Sequence, residues 1–214
     1  MAGLQVTSYK PYNHRTDSIE KYIFNLNGKI LKGKKITIHP NYITDSDTDS
    51  NFDLAIVELE DSINDVFFPI LYDKYDELGK SCIVVAFGAS GFGNSLHVES
   101  LSLKLAGNNV IDSIGGALYL GNYCQLFADF DALDYKISNE LGDAIPLNLE
   151  FGTCGGDSGG PLFYESNEKM YLVGILSGGG LTLENIKHFS FYGQISTFTR
   201  VSTHKIWIEN TIKK

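Results

Sequence analysis

Cys154-Gly155-Gly156-Asp157-Ser158-Gly159-Gly160-Pro161-Leu162-Phe163 sets an acid directly before a serine and crowds glycines on both sides. A serine hydroxyl is a poor nucleophile. It needs a general base and donors for the oxyanion its attack creates. Glycines let backbone N–H groups approach a substrate carbonyl with no Cβ in the way. The run Gly156-Asp157-Ser158-Gly159-Gly160 also fits the Gly-x-Ser-x-Gly elbow that turns from a strand into a helix. Here Pro161-Leu162-Phe163-Tyr164 follows and reads as strand, so that alternative fails its context.

The rest of the chain is strand-rich. Asp53–Leu59, Cys82–Phe87 and Leu172–Leu176 are short apolar runs bounded by Gly, Asp, Asn or Ser. Ile36–His39, Leu101–Leu105, Gln125–Ala128 and Pro161–Tyr164 are weaker strand signals, and Glu165-Ser166-Asn167-Glu168 reads as a hairpin turn. The 22 glycines, 12 tyrosines and 13 phenylalanines suit a β protein with many turns. One helix is expected near the C-terminus. Ser202 or Thr203 would cap it, Ile208 and Ile212 would share a face, and Lys213 and Lys214 would suit its dipole. The fold class expected is all-β, a barrel or sandwich closed by a helix.

The nucleophile segment resembles that of chymotrypsin-like (trypsin-like) serine peptidases. Arg200–Ile208 resembles the closing helix of that family, and Asp53-Leu54-Ala55-Ile56-Val57-Glu58-Leu59 resembles its catalytic-aspartate strand. His39-Pro40-Asn41-Tyr42 stands ahead of Asp53 where the family often has a similar stretch, and Asp53 precedes Ser158 by about 105 residues. The resemblance implies two antiparallel β-barrels: a partial first barrel over 1–75, a second over 76–200, and a helix over 201–214, with Asn64 to Gly79 connecting the halves.

It also implies roles. Ser158 is the nucleophile, and Asp53 orients a histidine and stabilises the imidazolium. The N–H groups of Gly156 and Ser158 form the oxyanion hole. Asp157 is a structural acid. Gly152 lies at the base of the primary specificity pocket, walled by Thr153, Ser177, Gly178, Gly179 and Ser196. With no carboxylate at Gly152, an uncharged pocket would favour apolar or aromatic side chains. The implied activity is a serine endopeptidase acting through an acyl-enzyme on protein or peptide substrates, with no cofactor.

The family's histidine signature, Leu-Thr-Ala-Ala-His-Cys, has no counterpart. The histidines are His14, His39, His97, His188 and His204. His39 belongs to the His-Pro-Asn-Tyr stretch, three follow Asp53, and His14 sits in the polar Tyr12–Thr16. Few residues precede Asp53, so the expectation is an N-terminally truncated chain whose catalytic histidine lies outside it. The alternative is a pseudopeptidase acting as a binding or scaffold protein.

A net charge of −9 argues against nucleic acid or anionic membranes as partners. No apolar run is long enough to span a membrane. Met1–Val6 does not resemble a signal peptide, although the family resemblance implies a secreted or periplasmic protein. Cys82, Cys124 and Cys154 are odd in number: either all are buried thiols or one pair is bonded. The family's usual disulfides are largely absent. Together with Gly107–Asp112 and Ala128–Asp131, that resembles a bacterial-type branch. Asp45, Asp47 and Asp49 open like an EF-hand loop, but Ser50 and Ile56 occupy its Gly and Glu positions, so a solvated acidic loop is expected. Nothing in the sequence specifies an oligomeric state.

Overall fold

Alternating burial along β5, Ser81–Ala86, with Cys82, Val84 and Ala86 inside, marks a strand with one face on a core. The computed structural model describes residues 19, 22–42, 51–64, 66–95, 97–100, 103–133, 139–183, 186–188 and 191–213. His14 and the Asp45–Asp49 loop lie outside them. Strands dominate, and the only helix among the described residues closes the chain, as expected for the all-β class.

A small antiparallel sheet joins β1 (Ile23–Leu26), β2 (Lys29–Ile38) and β3 (Ala55–Leu59). Asn27 and Gly28 take positive φ between β1 and β2, the two-residue turn whose twist matches a hairpin. A nine-stranded sheet runs in the order β8 (Leu105–Val110), β5, β11 (Pro161–Ser166), β12 (Lys169–Leu183), β14 (Ile195–Arg200), β10 (Asn122–Asp129) and β9 (Ser113–Tyr119). Two short strands, β4 (Ile70–Leu71) and β13 (Ile186–His188), add to β12. A separate hairpin pairs β6 (Ala89–Gly91) with β7 (Val98–Ser100).

The main core gathers Val84, Ile111, Leu126, Leu162, Val173, Leu176 and Phe198 inside the large sheet. A second cluster, Leu54, Leu172, Ile175, Val201 and Ile208, joins the start of β3 and the helix α1 (Val201–Ile212) to the back of β12. Asp53 is carried to the large sheet by this second cluster, because its neighbour Leu54 is buried there. All three cysteines are buried free thiols.

Two expectations need correction. Of Leu101–Leu105, only Leu105 belongs to a described strand; 103 and 104 do not, and 101 and 102 lie outside the described residues. Helix α1 begins at Val201 after Arg200 and has no side-chain cap. Ser202 and Thr203 therefore lie inside the first turn, past the N-cap position, and their hydroxyls donate to Glu77 and to the Tyr123 carbonyl. Ile208 is buried, whereas Ile212 is 44% exposed and leaves the shared face.

Candidate active site

The nucleophile loop is shaped by backbone hydrogen bonds at both ends. Asp157 N–H donates to the Cys154 carbonyl at 3.1 Å and Gly160 N–H to the Asp157 carbonyl at 2.9 Å. Gly156 has φ +96°, a conformation that L side chains rarely adopt, and a Cβ there would lie 3.1 Å from Gly88 Cα. This turn carries the N–H groups of Gly156 and Ser158. Ser158 is half-buried and Gly156 exposed.

Asp157 holds the loop to the neighbouring strand end. Its Oδ1 accepts the Gly88 N–H at 2.6 Å and its Oδ2 accepts the Cys154 N–H at 2.7 Å. Burial pushes its carboxyl above the ordinary value, against the two N–H donors that favour the charged form. A side chain on Gly88 has no room: its Cβ would stand 2.7 Å from Asp157 N and closer still to Oδ1. Gly88→Ala is therefore expected to displace the nucleophile loop and cost about 2 kcal/mol or more of stability, measurable by denaturant unfolding. Unchanged stability would show that the loop yields freely.

Asp53 joins the same network from the other sheet. Ser177 Oγ donates to Asp53 Oδ2 at 2.8 Å, and Thr199 Oγ1 donates to the Asp53 carbonyl at 3.0 Å. Ser177 follows Leu176, whose carbonyl accepts Gly159 N–H at 2.8 Å and whose N–H donates to the Gly160 carbonyl at 2.8 Å. A continuous hydrogen-bonded path therefore runs from the acid through Ser177 to the residue after Ser158. Sequence reading placed Ser177 in a pocket wall and missed its bond to Asp53. A serine just before Gly178-Gly179 was the only available signal. Gly88 was missed altogether.

The residues proposed for the substrate pocket converge. Gly179 pairs with Ser196 across β12 and β14, and Thr153 Oγ1 lies 2.8 Å from Ser196 Oγ. A separate, mainly apolar cavity of about 310 Å³ opens between the two sheets. Its lining includes Phe24, Leu26 and Leu59 from the small sheet, Phe163 and Ile175 from the large one, and Gly156 and Ser158.

Two of the described histidines share an aromatic cluster. His39 and His204 are buried together among Phe52, Tyr119 and Trp207, with their rings 4.9 Å apart. His39 Nδ1 accepts the Asn41 N–H at 3.3 Å, and His39 Nε2 has no hydrogen-bond partner among the described residues. Burial lowers both imidazoles to about 4. His97 is exposed, and the side chains of His14 and His188 lie outside the described residues. Among the described residues, no group of three or more acidic, histidine or cysteine side chains is placed to hold a metal ion, and no helix is long and apolar enough to cross a membrane.

A family model described as Trypsin matches residues 16–208. The chain is 26% identical over 190 residues to the atrial natriuretic peptide-converting enzyme of Mus musculus, covering 85% of this chain and 15% of that protein. It is 28% identical over 200 residues to transmembrane protease serine 11G of Rattus norvegicus, covering 84% of this chain and 39% of that protein. Similarity to mannan-binding lectin serine protease 1 of Rattus norvegicus is 26% over 204 residues, covering 94% of this chain and 25% of that protein. The chain thus spans less than half the length of each of these relatives. All three are animal proteins and give no support to the bacterial-type branch expected above.

Proposed function

The chain belongs to the trypsin family, and from that premise we propose that it is a serine endopeptidase domain in which Ser158 is the nucleophile and Asp53 the orienting acid. The observation that carries this reading is the hydrogen-bonded path from Asp53 through Ser177 and Leu176 to Gly159. Ser158 Oγ attacks the scissile carbonyl, and the N–H groups of Gly156 and Ser158 hold the oxyanion. A histidine outside the described residues takes the Ser158 proton and returns it to the leaving amine. Asp53 holds that ring in the required tautomer. The acyl group on Ser158 is then released by water. Asp157 acts through structure, by fixing the loop. Gly152, Thr153, Ser177, Gly178 and Gly179 border the substrate side chain. The division into barrels at 1–75 and 76–200 and an extracellular or periplasmic location belong to the same reading.

A second reading is a pseudopeptidase that binds without cleaving. It is favoured by the burial of His39 and His204 in an aromatic cage with Phe52, Tyr119 and Trp207.

Labelling of Ser158 by a fluorophosphonate, followed by intact mass, separates these readings. The expected result is slow labelling of the chain in plain buffer, acceleration by added imidazole acting as the base, and no adduct with Ser158→Ala. Rapid stoichiometric labelling without imidazole, abolished by His14→Ala, would assign the base to His14. No adduct under any condition would support the pseudopeptidase.

A further inference from the structure

The segment that carries Asp53 is gripped through its neighbours. Leu54 packs with Val201 and Ile208 of α1, and its carbonyl accepts the His39 N–H at 2.9 Å. The Phe52 ring packs against both buried histidines, 5.1 Å from the His39 ring and 5.7 Å from that of His204. Asp53 is itself bonded by Ser177 Oγ and Thr199 Oγ1. The residues on either side of the acid are therefore fixed against a packing unit built around two imidazoles.

That unit has no place for a charge. His39 is 1% exposed and His204 0%. Around them stand Phe52, the Tyr119 ring of β9 and the Trp207 ring of α1. Tyr119 brings a phenol, and His39 opposes a charge on His204. The Asn51 backbone favours that charge, and no carboxylate among the described residues acts on either ring. Taking an imidazolium out of water costs several kcal/mol, and an aromatic face offsets only about 2 of them. Both rings titrate near 4 in place, below the ordinary 6.5, so the opened unit takes up the proton and its share grows as pH falls below 6.5.

We propose that His39 and His204 are positioning residues for Asp53 and form an acid-release latch: a proton on either ring drives it from the cage, Phe52 loses its packing, and Asp53 leaves Ser177. This rests on the reading of Asp53 as the orienting acid. The site is set at neutral pH and is released reversibly in mild acid. Local opening is favoured over global unfolding. It frees the imidazoles alone, whereas global unfolding also frees Asp112 and Glu150, whose opposite response to pH offsets the histidines.

Amide hydrogen exchange, followed by NMR at pH 7 and pH 5, tests the latch in the intact chain. After correction for intrinsic rates, protection of the His39 and Leu54 amides should fall at least about 20-fold, the effect of one released imidazole across that window. Core amides such as those of Val84 and Val173, which exchange by global unfolding, should change little. The fall at Leu54 should vanish in the double variant His39→Phe with His204→Phe. Should that variant not fold, the imidazole carbon signals of the parent give a second measure, and both rings should take up protons together with a shift of the Ser177 amide. Unchanged protection at pH 5, an equal fall in the core amides, an equal fall in the double variant, or rings that titrate while Ser177 stays still would each overturn the proposal. Fluorophosphonate labelling reports separately on the nucleophile. Labelling of Ser158 with unchanged protection sinks the latch and spares the serine, whereas a working latch without labelling does the reverse.

Discussion

Glu77→Ala is expected to lower the unfolding free energy by about 3–5 kcal/mol, the cost of leaving a buried charge without its partner. Glu77 is completely buried. Its Oε1 accepts Arg200 Nε at 3.0 Å and Ser202 Oγ at 2.6 Å, and its Oε2 accepts the second Arg200 donor at 2.5 Å. Arg200 ends β14 and directly precedes α1, so this cluster fixes the helix to the large sheet where no side-chain cap does. Truncation would leave a guanidinium that is 4% exposed with only the Tyr123 carbonyl at 3.4 Å and the Tyr75 ring at 5.2 Å. In a domain of this size the midpoint of thermal unfolding should fall by roughly 10 °C. The double replacement Glu77→Leu with Arg200→Met should cost much less than Glu77→Ala, because it removes both charges together. A single variant within about 1 kcal/mol of the parent in chemical denaturation would show that the pair contributes little.

The second large effect is a pair of opposed pH responses. His39 and His204 titrate near 4 in the folded chain, against an ordinary value of 6.5, because burial penalises the imidazolium. Between those values the unfolded chain binds more protons, so their contribution is complete above 6.5 and is lost as pH falls towards 4. Each represents up to about 3 kcal/mol. Buried carboxyls act in the opposite direction. Burial raises Glu150 to about 7, against the N–H donors of Asp131 and Leu147, and raises Asp112, with the Asp129 charge adding to it. Their contribution is present below the ordinary carboxylate values and is lost as pH rises through about 7.

The parent chain should therefore show a nearly flat stability profile between pH 4 and 7. In the double variant His39→Phe and His204→Phe, stability should increase as pH falls. In Asp112→Asn with Glu150→Gln it should decrease, in each case by about 3 kcal/mol or more across that window. Denaturant unfolding read by Trp207, the chain's only tryptophan and 4.7 Å from the His39 ring, measures all three profiles. Three parallel profiles would falsify the assignment of either group.

How much of the site could be read in advance follows from how local each feature is. The loop at Ser158 was legible as a tight turn, because Gly156 takes φ +96°, a conformation that favours glycine. Asp53 was singled out by residue type alone, as an acid ahead of an apolar run at a family-typical distance from the serine. Its partner Ser177 was not, because that bond spans 124 positions and no periodicity reports it. The helix was expected correctly and its cap incorrectly. Ser202 has the right residue type for a cap, but the helix starts one residue before it, where Glu77, 125 positions away, binds both Arg200 and the Ser202 hydroxyl.

The sequence by itself determined the strand-rich class and the tight glycine-rich turn around Ser158. These depend on residue types at short, fixed spacings, where φ preference and alternation leave few choices. Tertiary structure alone decided that Thr153 meets Ser196 across 43 positions. It also decided that His39 meets His204 in an aromatic cage with Trp207, and that Glu77 anchors the helix. Each of these is a contact between side chains brought together by sheet packing, and a linear pattern carries no record of which distant side chains that packing makes neighbours.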